Sequence, residues 1–242
     1  PHVLADFEVE SEIRQVGRAE QQVGTKRHLD PAQAAAYRVK FQRSFTRRIS
    51  TARETRLVAS AFRLALREVH QPAVVLDYPC GAGRFATLFA KPCTGYLAGD
   101  HSPHMIAITS EVLQTADMGE KLIGTTEGDA RRMNLEDDAV DLAASMRLLH
   151  HFPDQEDRLA ILGELRRVTK GPLVTSFLDA SSTKQRSHLR RCKKRGRASR
   201  RVLLTPEQFA AEADRAGWQV SRTWKLSSLF SGQCVALLLP HG

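Results

Sequence analysis

The chain has 242 residues, 42% hydrophobic and 26% charged, a balance that suits a soluble globular protein with a single sizeable core. No apolar run approaches the roughly 18 residues needed to span a bilayer, and no basic-then-apolar segment opens the sequence, so a cytoplasmic chain without a transmembrane segment is expected. The net charge of +9 is a local feature: Lys184 to Arg201 holds ten basic residues and no acidic one, which leaves the rest of the chain close to neutral.

In chain order, residues 1–29 are polar and weakly patterned, with Phe7, Val9 and Ile13 as their few apolar anchors. A helix is expected from Asp30, where Asp30 can cap, Pro31 suits the first helical position and Gln33 stands where a capping-box partner belongs. Tyr37, Phe41 and Phe45 then recur every four residues, and a second helical pattern runs through Val58, Phe62, Leu66 and Val69. Residues 1–70 therefore read as a helical cap on a main domain of 71–242.

From Ala73 strands and helices alternate. Val74-Val75-Leu76 is a short strand before a Gly-rich turn, and Arg84 to Ala90 opens a helix. Tyr96-Leu97-Ala98 leads to Asp100, Leu122-Ile123 precedes Gly128-Asp129-Ala130, and Val140 to Met146 and Leu173 to Phe177 are two further strands. Between these last two, a helix over about 154–170 carries acidic residues in its first turn and basic ones in its last, matching the helix dipole. Thr205-Pro206-Glu207-Gln208 opens another helix, which closes near Gly217. Strands over 218–226 and 234–239 finish the chain, with Ser231-Gly232 between them. This alternation predicts an α/β protein with a parallel sheet covered on both faces.

The strongest chemical signal is Leu76-Asp77-Tyr78-Pro79-Cys80-Gly81-Ala82-Gly83-Arg84. Glycines after a buried strand allow a tight turn and let a ligand approach bare backbone. Asp100 lies at the end of the next strand, close to the roughly 20-residue spacing expected of a ribose-binding carboxylate, and Asp129 closes the third strand. Three strand-end aspartates point at one crevice. Gly81-Ala82-Gly83-Arg84-Phe85-Ala86 also satisfies the G-x-G-x-x-A pattern of nicotinamide-binding proteins. Against that reading stand Asp77 at the loop entrance, the closing strand pair and the lack of residues for hydride transfer.

The run resembles motif I of the class I S-adenosylmethionine-dependent methyltransferases, in a variant reading D-x-P-C-G-x-G-R, with Pro79 departing from the commonest glycine pattern. The resemblance implies a Rossmann-like seven-stranded sheet and S-adenosyl-L-methionine as cofactor. It assigns Asp77, Gly81 and Gly83, with Pro79 and Arg84 in the same loop, to the methionine side of the cofactor. It gives Asp100, beside His101, to the ribose hydroxyls, Met105 to the adenine, and Asp129 with Ala130 to the adenine edge. Met146-Arg147-Leu148-Leu149-His150-His151-Phe152 is similar to the post-strand segment of small-molecule members. The combination is also similar to proteobacterial methyltransferases of lipopolysaccharide and surface-polysaccharide gene clusters.

If the methyl acceptor is a hydroxyl, a general base within hydrogen-bond reach is useful, and His150 and His151 are the candidates. One of them packing under the sheet is the plainer alternative. Arg147 would hold an anionic acceptor group or pair with a strand-end carboxylate. Asp179, just past the fifth strand, reads as a further polar group facing the crevice or, more plainly, as a solvated turn, and Tyr37 as either a cover over the cofactor or core packing. The basic segment 184–201, with Arg190, Arg191 and Lys194, reads as a mobile loop, a grip on a phosphorylated or carboxylated acceptor, or a nucleic-acid contact. It lacks the aromatics that stack single-stranded bases.

Cys80, Cys93, Cys192 and Cys234 form no CxxC pair, so reduced thiols are expected and no metal site is. The expected function is O-methylation of an anionic glycan or small-molecule acceptor, with peripheral membrane contact compatible with it. RNA methylation, or a non-catalytic module binding nucleic acid or an acidic membrane, are the alternatives. The oligomeric state is not legible in the sequence.

Overall fold

The computed structural model describes residues 45–70, 72–196, 199, 201–227 and 231–242, with backbone only for 45–50. The expected helix at Asp30, its Tyr37 and Phe41, and the side chain of Phe45 lie outside the described residues.

Helix α1 (Phe45–Ala65) leads into β1 (Val74–Asp77), and α2 (Ala86–Ala90), β2 (Gly95–Asp100), α3 (Pro103–Thr115) and β3 (Leu122–Glu127) follow. The second half comprises β4 (Leu142–Ser145), α4 (Gln155–Val168), β5 (Leu173–Leu178), α5 (Thr183–Lys194), α6 (Pro206–Arg215), β6 (Trp218–Ser227) and β7 (Ser231–Pro240). The seven strands form one sheet in the order β3-β2-β1-β4-β5-β7-β6. All neighbours are parallel except β7, which runs antiparallel between β5 and β6. This is the α/β, Rossmann-like architecture expected from the sequence.

The interior strands are short apolar runs because both of their faces are covered. β4 and β5 are buried along their whole length. On one face Val58, Phe62 and Ala65 of α1 pack with Phe89 of α2 and Leu113 of α3. On the other, Ile161, Leu162 and Leu165 of α4 pack with Phe209 and Ala213 of α6. Trp218, at the start of β6, is fully buried and donates its indole N–H to the Leu162 carbonyl at 2.9 Å.

Helix ends are set by local chemistry. Asp154 caps α4 by position, Glu156 and Asp157 stand in its first turn, and Arg166 and Arg167 in its last. α6 opens on a complete capping box: Thr205 accepts from the Gln208 amide, and Gln208 accepts from that of Thr205.

Two expectations are corrected. Ser231-Gly232 does not separate the last two strands but begins β7, where Ser231 is in register with Ser227 and Gly232 O accepts from Asp179 N at 2.6 Å. The basic segment is not a loop throughout: Thr183–Lys194 is α5, with the Ser182 hydroxyl accepting from the Gln185 amide at its N-terminus. Helix α3, which begins on Ser102-Pro103, and the full six-residue length of β3 were also not expected.

α4 and α6 are joined by a buried ion pair, Arg158 to Glu212, at 2.6 and 2.9 Å. Arg158 also donates to the carbonyls of Phe152 and Pro153, which fixes the segment following the two histidines. Removing one partner strands a buried charge and costs about 3–5 kcal/mol. Glu212→Ala is therefore expected to lower the urea midpoint strongly with an unchanged m-value; a shift equivalent to less than about 1 kcal/mol would show that the pair is not holding these helices.

Candidate active site

The register of the parallel strands decides the site. Asp77 ends β1 level with Ala98 of β2 and Ala144 of β4, and Asp100 ends β2 level with Glu127 of β3. The loops after β1, β2, β3 and β4 thus share the carboxyl edge of the sheet, where open α/β sheets bind ligands.

Gly81 adopts φ +54, and a Cβ placed there would meet no atom within 4 Å. Its backbone faces open space in a conformation that disfavours any side chain, as a loop must if a ligand is to lie against it. Gly83, at φ +69, serves packing instead, since a Cβ would stand 3.1 Å from Val112 on α3. Asp100 orients the loop: one carboxylate oxygen accepts from Gly81 N at 2.9 Å and the other from Ser102 N at 3.0 Å. Thr109 donates to the Gly81 carbonyl at 2.9 Å.

Asp77 is buried and accepts the Tyr96 hydroxyl at 2.7 Å. Burial pushes its carboxyl up to about 7; the Tyr96 bond opposes this, and the charge of Asp100 reinforces it. The Tyr78 ring crosses β2 at Gly99, where a Cβ would fall 2.2 Å from it, and its hydroxyl donates to the Gly128 carbonyl. Tyr78 thereby ties the loop after β1 to the loop after β3.

Asp129 is less enclosed than Asp77 and Asp100. Arg131 grips both its oxygens, with Nε 3.0 Å from each, and reaches Asp157 at 2.8 Å. The Arg131 bond holds the Asp129 carboxyl below its ordinary range. Met105, Ala130 and Met146 are buried and His101 is exposed; Met146 packs in the core on the α1 face of the sheet and Ala130 in the core on the α4 face.

The two histidines are separated by their surroundings. Their rings stand 4.2 Å apart, but His150 is buried and His151 exposed. Burial, with His151, Arg201 and Arg147 nearby, drives the His150 imidazole down to about 2, which makes it a poor proton acceptor at neutral pH. His150 Nδ1 is buried without a hydrogen-bond partner among the described residues. Its carbonyl accepts from Val202 N at 2.9 Å, so the return from the basic segment lies against the histidine pair.

Arg147 does not pair with a strand-end carboxylate. It sits at φ +63 after β4, donates its amide to Ser176 Oγ at 2.8 Å, and clasps Glu54 of α1 at 2.9 Å through Nε and 2.6 Å through Nη2. Arg84 reaches the same carboxylate at 2.6 Å. Glu54 is 1% exposed and joins α1 to the loops after β1 and β4, yet the sequence reading did not single it out. The signal was available: Glu54 precedes Val58, Ala61 and Phe62 by four, seven and eight residues, which places a carboxylate on the buried face of a helix.

Asp179 is not a solvated turn. It is buried, accepts from Ser181 N at 2.8 Å and pairs with Lys225 of β6 at 2.8 Å. Burial works to raise its carboxyl, but the bonds from Lys225 and Ser181 outweigh that and hold it below the ordinary range. Arg190, Arg191 and Lys194 lie exposed on α5, outside the cluster of strand-end residues. Among the described residues, no three His, Cys, Asp or Glu side chains gather as a metal site, and no helix is long and apolar enough to cross a membrane.

A protonated Asp77 is favoured in the fold and not in the unfolded chain, so the native protein loses stability as pH rises from about 4 to about 7. Asp77→Asn, neutral at every pH, escapes this loss. Its stability relative to the native chain is expected to grow by a few kcal/mol, at roughly 1.4 kcal/mol per unit of pKa shift, between pH 4 and pH 8 in urea unfolding. A difference that stays flat with pH would show that Asp77 is solvated.

Residues 75–171 match a family model described as a methyltransferase domain. A search of curated proteins finds no match. Among solved structures, the chain is similar to magnesium protoporphyrin IX methyltransferase of Synechocystis PCC 6803 with bound S-adenosylhomocysteine. The two share 16% identity over 82% of this chain and 89% of that one, with a TM-score of 0.66. A Thermotoga maritima S-adenosylmethionine-dependent methyltransferase, described as a possible histamine N-methyltransferase, shares 15% identity over 89% and 99% of the two chains, with a TM-score of 0.59. A Haloferax volcanii methyltransferase, solved in complex with a methyltransferase activator, shares 14% identity over 80% and 93%, with a TM-score of 0.57.

Proposed function

On the premise that this chain is an S-adenosylmethionine-dependent methyltransferase, given its methyltransferase domain over residues 75–171, we propose that it methylates a hydroxyl of an anionic acceptor, a phosphorylated or acidic glycan or a small metabolite. The cofactor part of this reading rests on the open backbone of Gly81 beside the Asp100 carboxylate, and the anionic acceptor on Arg147 beside the histidine pair.

The cofactor supplies a methyl group already activated on a positively charged sulfur. The protein's work is then to bind, align and exclude water. Asp100 takes the ribose hydroxyls, with its orientation already fixed by Gly81 N and Ser102 N. Gly81 gives backbone contact, with Asp77, Pro79, Gly83 and Arg84 completing the loop on the methionine side. Met105, Ala130 and Met146 wall the adenine, whose edge meets Asp129; His101 rims the pocket.

His151, exposed beside the crevice, is the group we assign to take the acceptor proton; His150 positions it by ring packing at 4.2 Å. Arg147 engages Glu54 through Nε and Nη2, which leaves Nη1 to reach an acceptor anion. Glu54 fastens helix α1 to the loops after β1 and β4. The Mg-protoporphyrin and histamine acceptors named for similar structures belong to those proteins, and neither is proposed for this chain.

Calorimetry with S-adenosylhomocysteine tests the cofactor site. Binding to the native chain and a loss on the order of 1.5–3 kcal/mol in Asp100→Ala are expected; absence of binding to the native chain would sink the reading. Once an acceptor is in hand, His151→Ala is expected to lower kcat by on the order of 100-fold or more with the cofactor KM unchanged. An unaffected kcat would remove His151 from the chemistry.

A further inference from the structure

Helix α5 presents two unlike faces. Gln185, His188 and Cys192, spaced by three and four residues, are its half-buried stripe. Gln185 lies against Gly232 at the start of β7, where a Cβ would fall 2.5 Å from its Cγ, and His188 Nε2 stands 3.3 Å from Ser199 Oγ. At 3.6 residues per turn the opposite face is Arg186, Arg190, Lys193 and Lys194, all exposed, a row about 12 Å long at 1.5 Å per residue. No acidic side chain among the described residues pairs with any of the four. Arg190 and Lys194 therefore point away from the protein body and not down into the crevice.

The base of this excursion is closed. Asp179 bridges Leu204, Ala180 N donates to the Leu204 carbonyl at 3.0 Å, and Val202 N donates to His150 O at 2.9 Å. The two ends of the excursion that carries α5 are thus tied together, and its return at Val202 lies against His150.

We propose that the outer face of α5 docks the protein onto an anionic lipid surface, so that the crevice meets its acceptor there; this second half rests on the methyl-transfer reading. The row is convex, straight and wholly cationic, with Leu189 at its flank 39% exposed. A basic cluster of this size is drawn to an anionic leaflet by electrostatics alone, worth on the order of fivefold in partitioning per residue. The outer face has no aromatic side chain on which single-stranded bases could stack, His188 lying on the half-buried stripe, and the deep, narrow major groove of duplex RNA does not admit a helix.

The test is co-sedimentation of the full chain with phosphatidylcholine vesicles with and without phosphatidylglycerol. Pelleting only with the anionic vesicles is expected, reversed by salt near 1 M, where the screening length is about 3 Å. The variant carrying Arg186→Glu, Arg190→Glu, Lys193→Glu and Lys194→Glu is expected to bind these vesicles at least 100-fold more weakly while still binding S-adenosylhomocysteine. Should it lose the cofactor through misfolding, Arg186→Gln with Lys193→Gln replaces it, with a tenfold or greater loss expected. No pelleting of the native chain with anionic vesicles, pelleting unchanged in the folded variant, or release by duplex RNA at a lower phosphate concentration than the lipid supplies would each overturn the proposal. Vesicle binding by a native chain that fails to bind S-adenosylhomocysteine would leave the docking standing and remove the methyl-transfer reading.

Discussion

Asp77 and Asp100 end adjacent parallel strands and Asp129 stands two residues past the next, and the sheet can keep the three carboxylates at one edge only if their mutual repulsion and their desolvation are both relieved. Each is relieved differently. Asp77, enclosed and bonded to Tyr96, can keep its proton up to about pH 7. Asp100 spreads its charge over the amides of Gly81 and Ser102, which also fixes the loop beside it. Asp129, at the surface, is gripped by Arg131. The carboxyl edge of the sheet is therefore assembled in advance, with each of these polar groups held by protein contacts.

A second buried carboxylate does comparable work between elements. Glu54 gathers Arg84 and Arg147 from two strand-end loops onto the lead-in helix. A buried carboxylate is costly alone, and two guanidinium partners offset that cost while leaving the cluster with net positive charge. Arg147 is held in a left-handed backbone conformation, φ +63, one of the sparsely populated states that persist only where the surroundings over-determine them. Ser176 and Glu54 supply that constraint, and Arg147 stands next to the histidine pair as a result.

Much of this architecture was legible in the residues. The strands that became β1, β2, β4 and β5 stood out as short apolar runs because interior parallel strands are buried on both faces. The Thr205 capping box and the charge pattern along α4 marked their helices because helix ends have obligatory chemistry. The strand-end aspartates were recognisable from their spacing to the Gly-rich loop. Less legible were features whose cause lies far away in sequence. Asp179 looked like a solvated turn because nothing near it announces Lys225, 46 positions later. α5 was hidden by composition, since a row of like charges reads as a loop until its half-buried stripe finds Gly232 and Ser199.

The sequence by itself determined the alternation of strands and helices, the Gly-rich turn and the three carboxylates at the ends of successive strands, because these follow from local periodicity and backbone chemistry. The tertiary structure decided which of two adjacent histidines is buried and a poor proton acceptor at neutral pH, which carboxylate Arg147 answers to, and which face of the basic helix looks outward. Those outcomes depend on desolvation and on partners 93 residues apart, as for Glu54 and Arg147, and such energies exist only once the chain has closed around them.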